Sequence, residues 1–132
     1  MKKVRIGIIG CGGIANQKHF PALSEYPDLC EMVAFCDIIE ERAKTACEKY
    51  GAPGAKVYTD YKELLKDESI DTVHVLTPNV AHSPITVAAF EAGKNVMCEK
   101  PMAHTTEAAQ AMMAEWKKSG TTFTIGYQHR FR

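Results

Sequence analysis

Short apolar runs alternate with amphipathic stretches from one end of the chain to the other. Residues 4–9 (Val-Arg-Ile-Gly-Ile-Ile) read as a buried first strand. Residues 32–36, 56–58, 72–76, 95–98 and 122–125 read as five more strands, each a short apolar run bounded by turn or polar residues. Helical periodicity fills the gaps. Residues 13–20 form an expected helix that ends or kinks near Pro21. Ile39, Ala43, Ala46, Cys47 and Tyr50 fall on one helical face, and Gly51 with Pro53-Gly54 stops that helix. A short helix spans 61–66. Ser83 can cap a helix with Pro84 in its first turn, ended by Gly93. Thr105 can cap another, whose apolar face is Ala109, Met112, Met113 and Trp116 and whose end is Gly120.

Strand and helix in strict alternation predict βαβ units, hence an α/β fold with a mainly parallel sheet covered on both faces. Right-handed crossovers reduce the choice to a doubly wound, Rossmann-like sheet of about six strands. Ligands of such sheets bind outside the carboxyl ends of the strands. The turns that begin at Gly10, Asp37, Thr77, Glu99 and Gly126 are therefore the places to look for chemistry.

The first of these turns is Gly10-Cys11-Gly12-Gly13-Ile14-Ala15. Its Gly-x-Gly-x-x-Ala spacing, after a strand and before a helix, suits a dinucleotide. The first glycine allows the tight turn, the second lets the backbone approach a pyrophosphate, and the small Ala15 lets helix and strand pack closely. The helix N-terminus would hold the phosphates. A Gly-rich turn with no ligand is the alternative, and its position after the first strand argues against it. Cys11 reads as a small filler in this loop.

Asp37 lies 22 residues after Ala15, at the end of the second strand. An acid about there accepts hydrogen bonds from the adenosine ribose and repels a 2′-phosphate. Ile38 and Ile39 follow, with no adjacent Arg or Ser, so NAD is favoured over NADP. Arg42, the nearest cation, reads as a solvated helix residue rather than a phosphate clamp, and Asp37 could also cap its helix. Thr77-Pro78-Asn79 and His82 put polar groups where the nicotinamide half should lie, although Ser83 capping a helix explains the same turn. Glu99-Lys100-Pro101 ends the fifth strand. Lys100 could hold a substrate hydroxyl, and exchange its proton if neighbouring charge tuned its pKa; spacing alone favours a solvated surface lysine.

Composition adds few constraints. The 132 residues amount to about one domain, 45% hydrophobic and 24% charged. Sixteen basic residues balance sixteen acidic ones, so no charge surplus points to nucleic acid or a membrane surface. Five cysteines without a C-x-x-C pair point to reduced thiols, and with no apolar run of membrane-spanning length the expected location is the cytoplasm. No metal site is indicated. His74 reads as a core residue, and Met112, Met113 and Trp116 as core packing.

The glycine turn, Thr77-Pro78-Asn79 with His82, Gly93-Lys94-Asn95-Val96 and above all Glu99-Lys100-Pro101 resemble the N-terminal domain of the glucose–fructose oxidoreductase, inositol dehydrogenase and MocA family. Gly126-Tyr127-Gln128-His129-Arg130-Phe131 is similar to the segment leading into that family's second domain. The resemblance implies oxidation or reduction of sugars, cyclitols and related compounds with NAD or NADP. It implies that Lys100 binds substrate and assists proton transfer, and that Glu99 lies near the nicotinamide ribose. It also implies a C-terminal α+β domain that supplies most of the substrate pocket and usually the oligomer interface. The 132 residues are thus expected to be an NAD-binding domain, inactive alone, of a protein that is a homo-oligomer at full length, with a natural single-domain relative as the alternative. A non-catalytic dinucleotide sensor or regulatory module is the alternative, and Lys100 discriminates, since a sensor has no need of it.

Overall fold

The computed structural model describes residues 3–12, 20–77, 79–99 and 106–126. Along the chain these form β1 (Val4–Ile9), α1 (Phe20–Ser24), β2 (Cys30–Cys36), α2 (Glu40–Tyr50), β3 (Lys56–Tyr58), α3 (Tyr61–Leu65), β4 (Thr72–Val75), α4 (Asn79–Glu91), β5 (Asn95–Glu99), α5 (Thr106–Ser119) and β6 (Phe123–Gly126). The strands make one six-stranded sheet in the order β3-β2-β1-β4-β5-β6, and every neighbouring pair is parallel. The order reverses at β1, which pairs with β2 on one side and β4 on the other. That is the doubly wound arrangement, with its switch point between β1 and β4.

Side chains alternate across the sheet, so each face needs its own helices. On one face Ile9, Ala34, Val73, Val75, Val96 and Cys98 pack with Leu64 and Leu65 of α3 and Ile85, Ala89 and Phe90 of α4. On the other, Ile6, Ile8, Met32 and Phe35 pack with Phe20 of α1 and Ala43 and Ala46 of α2. Phe20 and Phe35 meet edge-on at 5.7 Å, and Phe20 lies 4.9 Å from the Tyr50 ring. This aromatic group fixes α1 and α2 against β2. Met112 is fully buried, and Trp116 packs against the first cluster while its indole N–H donates to the Thr121 carbonyl at 2.7 Å. His74 lies buried in β4, as expected of a core residue.

Several expected boundaries move. The described α1 spans Phe20–Ser24 and so runs on past Pro21. Proline disturbs bonds toward the N-terminal side of its own position and leaves the residues after it able to donate. The beginning of that expected helix, 13–19, lies outside the described residues. β2 starts two residues early, because Cys30 and Glu31 pair with Val4 and Arg5, and Arg5 makes a 2.7 Å ion pair with Glu31. Ile39 is the N-cap of α2 and exposed, rather than part of its buried face. α4 begins at Asn79, so Pro84 is inside it and Ser83 is no cap. The ring of Pro84 is exposed. Thr105 lies outside the described residues.

At the amino ends of the strands, Lys94 is buried at 6% exposure and donates from Nζ to the carbonyls of Asp67, at 2.7 Å, and Ile70, at 2.9 Å. It joins the turn before β5 to the loop before β4, at the end of the sheet opposite the expected site. Burial pulls its pKa below the ordinary lysine range, against the pull of the Asp67, Asp71 and Glu68 carboxylates.

Candidate functional site

The carboxyl ends of β1, β2 and β4 converge. Gly10, the first residue after β1, donates its N–H to the Cys36 carbonyl at 2.8 Å, at the end of β2. Its φ of +101° is in the region that only glycine adopts without strain. A β-carbon there would stand 2.8 Å from the Leu76 carbonyl carbon and 2.9 Å from the Thr77 nitrogen. Leu76 N–H in turn donates to the Ile9 carbonyl at 2.8 Å. The turn after β1 is thus wedged between the ends of β2 and β4, in contact with the residues expected on the nicotinamide side.

Cys11 follows, with its N–H donating to Oδ2 of Asp37 at 2.9 Å. The other carboxylate oxygen, Oδ1, accepts from the Ile39 N–H at 2.8 Å. Asp37 therefore closes a local turn before α2 while its side chain reaches across to the glycine turn. The helix N-cap is Ile39 and not Asp37. The Cys11 side chain is 1% exposed, and its thiol donates to the Cys36 carbonyl at 3.5 Å. Burial first, and then the negative charge of Asp37, push the thiol up to about 12. At neutral pH it is protonated, as a filler should be.

Gly12 has room around it among the described residues. The nearest of their atoms to a β-carbon built there is Nη1 of Arg42, at 3.7 Å. Arg42 is exposed, as its place on α2 suggests, yet it borders the turn. Periodicity assigns it only a solvated face, because it sits in the first turn of α2 and sequence distance hides its nearness to Gly12. Ile38, read only for lacking a phosphate-binding group, is 90% exposed beside Asp37.

Of the expected site residues, Gly10, Gly12, Asp37 and Thr77 are brought together at these strand ends. Asn79 and His82 lie in the first turns of α4, and Glu99 ends β5 opposite Gly126; their side chains are outside the described set. Gly13, Ile14, Ala15, Pro78 and Lys100 also lie outside it. Among the described residues no group of three His, Cys, Asp or Glu could hold a metal ion, and no helix is long and apolar enough to cross a membrane.

The residues present fit a dinucleotide. Among the described residues, nothing lies nearer than 3.7 Å to the point where a β-carbon on Gly12 would project. A carboxylate offers about four lone-pair sites, and Asp37 has given one on each oxygen to a backbone N–H.

The sequence profile of the GFO_IDH_MocA family, an oxidoreductase family with an NAD-binding Rossmann fold, matches residues 4–127. The chain belongs to this family. It is 37% identical over 129 residues to inositol 2-dehydrogenase of Salmonella paratyphi B, covering 97% of this chain and 38% of that enzyme. Among solved structures it superposes on the WlbA dehydrogenase of Bordetella pertussis, in complex with NADH and UDP-GlcNAcA. The TM-score is 0.92 and the identity 27%, over 99% of this chain and 39% of that one. It also superposes on KijD10, a 3-ketoreductase of Actinomadura kijaniata in complex with TDP-benzene and NADP. Here the TM-score is 0.86 and the identity 31%, over 98% of this chain and 42% of the other. The chain thus spans about two fifths of the length of these Gfo/Idh/MocA relatives. It is an NAD(P)-binding Rossmann domain of that family.

Proposed function

We propose that this Gfo/Idh/MocA domain binds NAD in preference to NADP and is the cofactor half of a dehydrogenase. The whole protein would act on a sugar, a polyol or a related hydroxyl or carbonyl compound. The observation that carries the cofactor reading is the Asp37 carboxylate, held beside the glycine turn by two backbone N–H groups. Held there, it can accept from the adenosine ribose hydroxyls, and its charge repels a 2′-phosphate. Ile38, almost fully exposed next to it, offers an apolar surface to the adenine ring. Gly10, Gly12, Gly13, Ile14 and Ala15 would cradle the pyrophosphate. Thr77, Pro78, Asn79, His82 and Glu99 would line the nicotinamide side.

The bound cofactor supplies the hydride acceptor. What remains for the protein is the proton, and Lys100 would handle it. Its Nζ, as the neutral amine, would accept a hydrogen bond from the substrate hydroxyl and take the proton that leaves as the carbonyl forms, becoming an ammonium. The substrate class rests on the relatives, one named for inositol and one solved with a sugar nucleotide. The rest of the substrate pocket would come from a C-terminal α+β domain, which would also carry the oligomer contacts.

Calorimetric titration of the chain with NAD and with NADP tests the cofactor reading. Tighter binding of NAD is expected, and a folded chain that binds neither would overturn it. In the whole protein, Lys100→Met should abolish turnover and keep NAD affinity. Turnover that survives the substitution removes Lys100 from the chemistry.

A further inference from the structure

We infer that Asp37 is a positioning residue for the phosphate-binding turn, in addition to reading the ribose. The inference rests on the cofactor reading above and deepens it. It is carried by the geometry of consecutive amides. Gly10 N–H is held by the Cys36 carbonyl at 2.8 Å, and Cys11 N–H by Asp37 Oδ2 at 2.9 Å. The first bond is backbone to backbone and depends on no side chain. The second depends on one side chain. It fixes the peptide between Gly10 and Cys11, which sets the direction in which the turn leaves toward Gly12.

The carboxylate is itself immobilised. Oδ1 accepts from the Ile39 N–H at 2.8 Å, two residues along, so the side chain cannot swing toward a ligand without breaking a bond. Bonds to an ionised acceptor are about twice as strong as neutral ones. The Cys11 thiol is anchored on the same strand end, through the Cys36 carbonyl. Asp37 therefore holds the turn in place before any ligand arrives. A turn already held gives up less freedom on binding, which raises affinity for whatever contacts it. The two roles are compatible because each carboxylate oxygen keeps a lone pair for a ribose hydroxyl.

The two roles separate with a ligand that keeps the diphosphate and loses the hydroxyls. Adenosine diphosphate and 2′,3′-dideoxyadenosine diphosphate form such a pair. If Asp37 only reads the ribose, Asp37→Ala weakens the first and leaves the second unchanged. Removing a negative charge near a diphosphate would even tighten the second. With the positioning role, Asp37→Ala weakens the dideoxy ligand as well, by about tenfold. Asp37→Asn, which keeps one acceptor oxygen, should lose less. Dideoxy affinity that is unchanged or improved in Asp37→Ala overturns the inference. A wild-type chain that binds neither diphosphate overturns the cofactor reading too, so the two failures are distinct.

Amide exchange in the ligand-free chain gives an independent readout. In Asp37→Ala the Cys11 N–H should exchange about tenfold faster, while Gly10 N–H, held by backbone, keeps its protection. Equal acceleration of both would mean general loosening of the fold and would overturn the assignment. An unchanged Cys11 rate would do the same.

Discussion

A β-carbon on Gly10 would stand 2.8 Å from the carbonyl carbon of Leu76. The turn that should hold the pyrophosphate and the turn that should face the nicotinamide are therefore in backbone contact across the switch point, and neither can move far without the other. Gly10→Ala should be destabilising for two additive reasons. Its φ of +101° is strained for any L side chain, and the new methyl meets backbone, which cannot rotate away. The expected loss is about 2–4 kcal/mol by urea denaturation, together with NAD affinity. A variant within experimental error of wild type would contradict the close approach.

Gly12 should behave oppositely. Among the described residues nothing lies nearer to its β-carbon position than Arg42 Nη1, at 3.7 Å. Gly12→Ala should therefore leave the stability of the ligand-free chain within about 0.5 kcal/mol. Its effect should appear on binding, since the methyl occupies the space a pyrophosphate would approach. Titration with NAD should show a loss of about tenfold or more. Unaltered affinity would remove Gly12 from the phosphate site.

Ile38 separates binding from stability in a different way. At 90% exposure it contributes almost nothing to the core, so Ile38→Ser should not shift the denaturation midpoint. If adenine packs on this side chain, NAD affinity falls about three- to tenfold, in line with partial burial of an aliphatic group. The same affinity in both proteins would place the adenine elsewhere.

Lys94 gives a prediction about pH. Lys94→Met keeps the aliphatic volume but strips donors from the Asp67 and Ile70 carbonyls, at a cost of about 2–4 kcal/mol. Burial lowers the folded pKa of Lys94 below its unfolded value. The charged form is thus the less favoured one in the fold. Its titration adds stability that is fully present above the unfolded pKa and is lost as pH falls through the lowered folded value. The stability gap between wild type and Lys94→Met should therefore widen as pH rises through the lowered folded pKa toward the ordinary lysine value. A constant gap would show that Lys94 carries no shift. The neutral amine still has two N–H groups for the two carbonyls, so the bonds survive deprotonation.

The alternation of strands and helices was legible because periods of 2 and 3.6 are written directly in the residue order. Helix ends were less so. Pro84 looked like a first-turn residue and lies inside α4. Ile39 matched the apolar spacing of α2 but caps it in the open, because the local turn at Asp37 starts the helix one residue later than the spacing suggests. Among the residues that meet at the strand ends, Gly10, Gly12 and Asp37 were legible through fixed spacing after a strand. Arg42 was not, because its nearness to Gly12 depends on how α2 lies over the end of β1.

By itself the sequence determined the fold class, the glycine turn after the first strand and the acid at the end of the second. These follow from local chemistry: which residues can turn, which can alternate, which carry charge. Only the tertiary structure decided that Asp37 grips the Cys11 amide, that Gly10 is jammed against the Leu76–Thr77 peptide and that Arg42 borders Gly12. Each joins residues distant in the chain, and parallel pairing of β1 with both β2 and β4 is what brings their ends together. Residue order states what each group can do. The crossing of the chain at β1 states which groups meet.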